Sequence, residues 1–178
     1  FQLVTTIDGL EVHENTRAWE RVRLVGGAEV VANREEIFER LNDPAFDPER
    51  TVLLETEPGI ALPTSSDTEP GTARFIARTM NTVMVEADAE TPCMLVLSDQ
   101  YFPGWNAYVN GARTKIFSAY YLFRAVPLPA GQHRIEFRYE PISFAIGIPI
   151  SAAGMVASLA GALLVLRRTA IMRSAVRN

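Results

Sequence analysis

The sequence predicts a mainly β fold: an antiparallel β-sandwich, jelly-roll-like, with one short helix, followed by a C-terminal transmembrane α-helix. Short runs of strand-forming residues alternate with turn signals such as Asn110-Gly111 across residues 72–141. Residues 142–166 then contain no charged side chain. A helix of that length reaches across a hydrocarbon core of about 30 Å. These two patterns place a β-rich domain before a single membrane span.

The predicted domain covers residues 1–141 and has three parts. Residues 1–56 contain N-terminal strands, with Asp8-Gly9 as a hairpin turn signal, and a short helix. Asn33 and Glu36 form a start signal for that helix because they stand three residues apart, as in a capping box. Residues 57–71 are rich in Pro, Gly, Ser and Thr and predict a loop. Residues 72–141 supply the main sandwich strands.

Charge predicts the orientation in the membrane. Residues 1–141 hold all 21 acidic residues, whereas residues 167–178 hold four arginines and no acid. By the positive-inside rule the basic tail, 167–178, is cytoplasmic and residues 1–141 are extracytoplasmic. An acidic domain does not favour nucleic-acid binding, which needs a basic face. The expected location is the plasma membrane of a bacterium, with the lipid bilayer as a partner.

Few residues suggest cofactor chemistry. Cys93 is the single cysteine, which excludes an internal disulfide and a multi-cysteine zinc site. His13 and His133 are the two histidines and are far apart in the sequence. We therefore predict no metal site and no cofactor. Phe1 rather than Met opens the sequence, so we expect the chain to begin inside a longer protein.

The predicted span carries a stripe of small residues at spacings of four and three. Such stripes let helices approach closely in lipid, so we expect the span to pack against other transmembrane helices of the same protein, upstream of this chain. The alternative is that Gly and Ser are simply common in such helices. Pro149 either kinks the helix or is its first residue. The stripe consists of Gly147, Ser151, Gly154, Ser158 and Gly161.

Aromatic residues are concentrated in one segment, since residues 101–123 hold eight of the chain's 16. They could form a surface on which sugars stack, or they could belong to the sandwich core. Strand periodicity places Trp105 in the core and Tyr108 on the outside. The candidates for carbohydrate contact are Tyr101, Tyr108, Tyr120 and Asp99.

Asp99 is open to two interpretations. It could act as a ligand or general base, or it could cap a turn or pair with an arginine. Arg124 lies between apolar neighbours on a predicted strand and needs a partner if it is buried. Asp99 and Glu136 are the two candidates for that partner.

Two segments resemble a known family. They read SDQYFPGWNAYVNG at Ser98–Gly111 and FRAVPLPAGQHRIEFRYEP at Phe123–Pro141. Both are similar to the C-terminal region of the YfhO-like bacterial membrane proteins, where the corresponding patterns precede a last membrane helix. EVHENTRAWERVRLV, from Glu11, partly resembles that family's E-N-P-x-A-L-P-R motif, with Thr16 and Glu20 in place of the two prolines.

The resemblance implies a polytopic protein related to GT-C glycosyltransferases, which transfer sugars from polyprenyl-phosphate carriers in cell-envelope glycosylation. The family's catalytic acid lies in an early outer loop, so we expect no catalytic residue in this chain, even if the whole protein is an enzyme. The expected partners are an envelope glycan or a polyprenyl-linked sugar. The alternative is an extracytoplasmic carbohydrate-binding, cell-envelope-binding or structural interaction module without catalysis.

Overall fold

The computed structural model describes residues 2–16, 18–67 and 69–175, with side chains up to Leu164. The chain divides into two compact units, Phe1–Arg138 and Tyr139–Asn178. The first unit holds the strands and a short helix, and the second holds a long helix.

The strands of the first unit and their bounds, in chain order, are β1 (Gln2–Ile7), β2 (Leu10–Glu14), β3 (Val22–Val25), β4 (Gly27–Val30), β5 (Thr51–Leu54), β6 (Gly71–Arg78), β7 (Thr82–Ala89), β8 (Cys93–Gln100), β9 (Trp105–Val109), β10 (Ala112–Thr114), β11 (Phe117–Ala119), β12 (Phe123–Leu128) and β13 (Gly131–Tyr139). Helix α1 (Arg34–Leu41) lies between β4 and β5, and helix α2 spans Ile142–Ala175.

Two sheets form the sandwich. One has the strand order β10-β9-β13-β7-β6 and the other β3-β8-β12-β11-β5-β4. The predicted mainly β, sandwich-like fold with a terminal apolar helix is therefore confirmed. The prediction of an antiparallel sandwich is wrong at one place, because β4 and β5 pair in parallel. A parallel pair needs a crossover connection, and α1 lies in that connection.

Strand β8 lies at the centre of the core, and its side chains are buried in two directions. Cys93, Leu95 and Leu97 belong to the cluster shared with β7 and β13 of the opposite sheet. Met94 and Val96 belong to a second cluster, on the other face of the six-stranded sheet. The run Cys93–Leu97 is continuously apolar because both faces of this strand are covered.

Helix α1 covers that second face through Ile37, which is fully buried. Asn33 caps the helix as predicted, since its Oδ1 accepts a hydrogen bond from the backbone N–H of Glu35 at 3.0 Å. Phe38 of the same helix is half exposed and lies beside the ring of Tyr121, with ring centroids 4.8 Å apart.

Two turns decide the register of the hairpins. Asn110 and Gly111 both have positive φ, 51° and 82°, as the predicted Asn-Gly turn requires. Tyr120 and Tyr121 also have positive φ, 48° and 71°, and form the turn between β11 and β12. No local signal in the sequence indicates this second turn, because a tyrosine pair is not a recognised turn motif.

Strands β1 and β2 form a separate two-stranded sheet and do not join the sandwich sheets. The predicted Asp8-Gly9 turn is confirmed, with positive φ at both residues. Every residue described in the two strands is exposed. The N-terminal part of the predicted domain therefore contributes to the core only from β3 onward.

Helix α2 is described by itself. Its apolar part, Ile142–Leu164, has 23 residues and a mean hydropathy of 1.8, is long enough to cross a membrane, and none of it is buried. Pro149 lies inside the helix, so the interpretation as its first residue is wrong. The helix continues through Ala175 into the predicted tail, and residues 176–178 lie outside the described residues.

Candidate functional site: an ion-paired loop and two surface clefts

An ion-pair cluster joins three distant parts of the sequence. Arg21 Nε donates to Asp99 Oδ1 at 2.7 Å, and Arg124 Nη2 donates to Asp99 Oδ2 at 3.0 Å. Each of the three residues comes from a different segment that resembles the family. Arg124 is 3% exposed and pairs with Asp99 rather than Glu136, which pairs with Arg138. Asp99 thus holds an arginine partner, as one interpretation of the sequence expected.

The Arg124 guanidinium is also covered by aromatic rings. It lies 4.1 Å from the ring centroid of Trp105 and 5.5 Å from that of Phe137. Its Nε and Nη1 atoms are buried and have no hydrogen-bond partner among the described residues. The rings therefore take the place of hydrogen-bond acceptors there. Burial lowers the pKa of Arg124, and the charge of Asp99 opposes that shift.

This cluster anchors the loop that leads into β9. Tyr101 N–H donates to the carbonyl of Leu122 at 2.6 Å. Gly104 has a φ of 101°, which glycine adopts without strain. The loop presents Tyr101 and Phe102 to solvent, and the two residues are 43% and 53% exposed. Two large aromatic side chains are thus exposed on a loop whose base is fixed.

We call the depression beside this loop the aromatic groove. It has a volume of about 440 Å³. Arg113 and Lys115 give one side of it a positive charge, and Arg113 Nη2 donates to Asn106 Oδ1 at 2.8 Å. Its lining includes Tyr101, Phe102, Trp105, Asn106, Arg113 and Lys115.

The four carbohydrate-contact candidates occupy different environments. Tyr101 lines the aromatic groove, and Asp99 lies behind it in the ion-pair cluster. Tyr108 is half-buried and lies under the Arg138 guanidinium at 4.8 Å, so it is less exposed than expected. Tyr120 is 6% exposed. The structure brings only Tyr101 and Asp99 near one another, and sugar contact by any of the four stays a prediction.

Tyr120 is part of a buried hydrogen-bond network. Its hydroxyl donates to the carbonyl of Pro48 at 2.7 Å and lies 3.1 Å from that of Thr51. Arg23 Nη2 donates to the same hydroxyl at 3.3 Å. Burial raises the pKa of Tyr120 to about 12. With these contacts and so little exposed surface, Tyr120 supports neighbouring structure rather than presenting a face to a ligand.

A second and larger depression was not expected from the sequence. We call it the Trp19 cleft. It has a volume of about 1020 Å³, and the Trp19 side chain in its wall is 45% exposed. Thr16 and Glu20, which stand where the family motif has prolines, also line it. The signal available in the sequence was a tryptophan in a mainly polar segment without strand periodicity.

His133 does not take part in either cleft. It is buried on β13. Its Nδ1 lies 3.2 Å from Asn110 Nδ2, and its Nε2 lies 2.9 Å from the Pro129 carbonyl. Both ring nitrogens therefore have protein partners. Among the described residues no group of His, Cys, Asp and Glu could hold a metal ion.

The small residues of α2 lie along an open face. A Cβ placed on Gly147, Gly154 or Gly161 would meet no atom within 4 Å. Ser158 Oγ donates to the Gly154 carbonyl at 2.8 Å, so its hydroxyl is satisfied within the helix. That this face packs against another transmembrane helix stays a prediction.

Comparison with known proteins agrees with the motifs. A family model described as "Bacterial membrane protein YfhO" matches residues 72–151. The match runs from β6 through β13 and into α2, and it contains both motif segments. No curated protein and no solved structure matches the chain. The family and the apolar helix both fit a location in the membrane. Residues 72–151 are thus similar to the YfhO family of bacterial membrane proteins, the family that the motifs predicted.

Proposed function

We propose that this chain is the C-terminal accessory region of a bacterial membrane protein that resembles GT-C glycosyltransferases and takes part in cell-envelope glycosylation with lipid-linked sugars. The observation that carries the proposal is the family match over residues 72–151. The region itself is non-catalytic in this proposal. It shapes or contacts the glycan while chemistry takes place elsewhere in the protein.

The proposed orientation follows from charge. Arg167, Arg168, Arg173 and Arg177 follow the apolar segment, and no acidic residue accompanies them. Basic residues flanking a span favour the cytoplasmic side. The β-sandwich is then extracytoplasmic, on the side of the membrane where envelope glycans are assembled.

The aromatic groove is the proposed contact with sugar. Tyr101 and Phe102 offer exposed rings to the apolar face of a pyranose, and Arg113 and Lys115 offer charges to a phosphate of a polyprenyl-linked sugar. The ion-pair cluster around Asp99 supports this role because it fixes the loop before a ligand arrives. A fixed loop loses less conformational entropy on binding.

The proposed partners of α2 are other transmembrane helices of the same protein. The open face at Gly147, Gly154 and Gly161 supports this, since small residues allow close approach of a neighbouring helix in lipid. Crosslinking from Gly154→Cys and Ser158→Cys in the full-length protein tests it. Crosslinks to protein helices are expected, and exclusive reaction with lipid would contradict the proposal.

Glycan transfer tests the main proposal. In the full-length protein, Tyr101→Ala combined with Phe102→Ala should lower incorporation of labelled sugar into the envelope roughly tenfold, because both stacking rings are lost. Phe38→Ala, at a half-exposed ring outside the groove, is the control and should leave incorporation unchanged. Equal envelope glycosylation with and without the full-length protein would contradict the proposal.

A second candidate is an extracytoplasmic glycan-binding or structural interaction module with no catalysis. The two exposed aromatic side chains of the groove favour it as well. Glycan-array binding separates the two candidates. Binding to an envelope glycan that is lost in Tyr101→Ala, with no glycosylation defect when the full-length protein is deleted, would support the module alone.

A further inference from the structure

We propose that the Trp19 cleft binds a sugar that carries a free amino group. The inference does not depend on glycan transfer or on the aromatic groove. It rests on three properties of the cleft: an exposed indole held in place from below, carboxylates without partners, and a volume suited to more than a single sugar ring.

The indole of Trp19 is a preformed stacking platform. The Arg23 guanidinium lies 4.1 Å from the ring centroid and covers one face of the ring. The side chain is nevertheless 45% exposed and lines the cleft, so the uncovered part of the ring is open to a ligand. An indole face binds both apolar sugar faces and cations.

Arg23 is itself fixed, so the platform does not have to be ordered by the ligand. Its Nη2 donates to the Pro48 carbonyl at 3.2 Å and to the Tyr120 hydroxyl at 3.3 Å. Its Nε and Nη1 atoms are buried without hydrogen-bond partners among the described residues. The arginine therefore supports the ring from below, and its buried N–H groups are not offered to a bound anion.

The open charge on the described lining of the cleft is negative. Among the residues that the structure describes, four carboxylates and two arginines line it. Asp67 is already neutralised by Arg50, with Arg50 Nη1 and Asp67 Oδ1 2.6 Å apart. The carboxylates of Glu20, Glu49 and Glu69 make no ion pair or hydrogen bond within the part of the chain that the structure describes. These three groups favour an ammonium and disfavour a phosphate or carboxylate ligand.

The size of the cleft fits an oligosaccharide. Its volume of about 1020 Å³ is at the upper end of the range for small-ligand sites, about 300–1,000 Å³. Thr16, Ser66 and Thr72 add hydroxyl groups to the lining, as recognition of sugar hydroxyls requires. An amino sugar satisfies all three properties, because its ring stacks on Trp19 and its ammonium meets the carboxylates.

Calorimetry on the full chain in lipid nanodiscs tests the proposal with three probes of equal length and linkage: tetrasaccharides of glucosamine, N-acetylglucosamine and glucose. The glucosamine probe should bind, and acetylation or loss of the amine should weaken binding roughly tenfold. Trp19→Ala should lower the affinity for the glucosamine probe roughly tenfold or more, and Trp19→Phe should retain part of that affinity.

Two further variants distinguish the contribution of the Trp19 ring to glucosamine binding from that of the carboxylates. Glu20→Gln combined with Glu69→Gln should lower glucosamine binding to the level of the glucose probe. Phe38→Ala, at a half-exposed ring that lines neither the Trp19 cleft nor the aromatic groove, is the control and should leave glucosamine binding unchanged. Failure of the glucosamine probe to bind, equal affinity for the acetylated probe, or binding that survives Trp19→Ala in a chain with an unchanged Tm would each overturn the proposal.

Discussion

Strand β8 and helix α2 each contain a continuous apolar run, and the two elements differ in whether their side chains are buried. Every residue of Cys93–Leu97 is fully buried, because the opposite sheet covers one face and α1 with its neighbouring loops covers the other. Of the 23 residues of Ile142–Leu164, none is buried. The sandwich thus covers its apolar residues within the chain, whereas the apolar residues of the helix stay uncovered among the described residues, as those of a membrane span do.

Two alanine substitutions, one in the sandwich core and one on α2, test that difference in burial and give the largest expected effect. Phe137→Ala removes a fully buried ring from the core and should lower the free energy of unfolding of the sandwich by about 3–5 kcal/mol. Leu159→Ala removes a leucine that is 62% exposed on α2 and should leave that free energy unchanged. Denaturant titration of both variants in detergent measures it. Equal losses would mean that the helix belongs to the same folded core.

The ion pair of the buried Arg124 is a second place where the sandwich depends on internal partners. Asp99→Asn leaves Arg124, 3% exposed, without its counter-ion and should cost about 3–5 kcal/mol of stability. Glu136→Gln breaks a more exposed pair with Arg138 and should cost at most about 1 kcal/mol. Thermal denaturation compares the two, and a mild Asp99→Asn variant would contradict the structural role of the cluster.

Alkaline pH should weaken the sandwich through its buried thiol. Burial raises the pKa of Cys93 from 9.0 to about 11. The unfolded chain loses this proton first, so the contribution of Cys93 is complete below pH 9 and is lost as pH rises toward about 11. The loss amounts to roughly 2–3 kcal/mol. Denaturation midpoints at pH 8 and pH 10.5 should therefore differ less in Cys93→Ala than in the unmodified chain.

The smallest expected effect concerns the hydroxyl of Tyr120. Tyr120→Phe leaves buried carbonyls of Pro48 and Thr51 without this donor and should cost about 1–3 kcal/mol. Tyr121→Phe is the matched control at the neighbouring turn position and should be nearly neutral. Chemical denaturation gives both values. If the two variants behave alike, the network under Trp19 does not stabilise the sandwich.

Much of the fold could be predicted because it rests on local patterns. Each of these patterns determines the structure of its neighbouring residues only. They are the turn signals at Asp8-Gly9 and Asn110-Gly111, the Asn33 cap and the uncharged segment from Ile142. The parallel pairing of β4 and β5 was missed although a helix between two strands is its usual sign. The Tyr120-Tyr121 turn could not be found, since these residues seldom adopt positive φ.

The candidate sites were harder to predict because they join distant residues. Arg124 has its partner Asp99 25 residues away in the sequence. That pairing was a candidate from the sequence because a buried charge needs a counter-ion. Arg21 reaches the same carboxylate across 78 residues, with no local pattern to indicate it. The Trp19 cleft is built from described residues of three separated segments, those around Trp19, Glu49 and Glu69. Only their tertiary arrangement makes a cleft.

Expressing the sandwich without helix α2 tests most directly whether the sandwich folds by itself while the helix requires a membrane. Residues 1–141 alone should be soluble and should unfold cooperatively with the same midpoint as the full chain in detergent. The full chain expressed in cells should stay in the membrane fraction after an alkaline carbonate wash. An insoluble or non-cooperative 1–141 fragment, or release of the full chain by the wash, would contradict a self-sufficient sandwich joined to a helix that needs lipid.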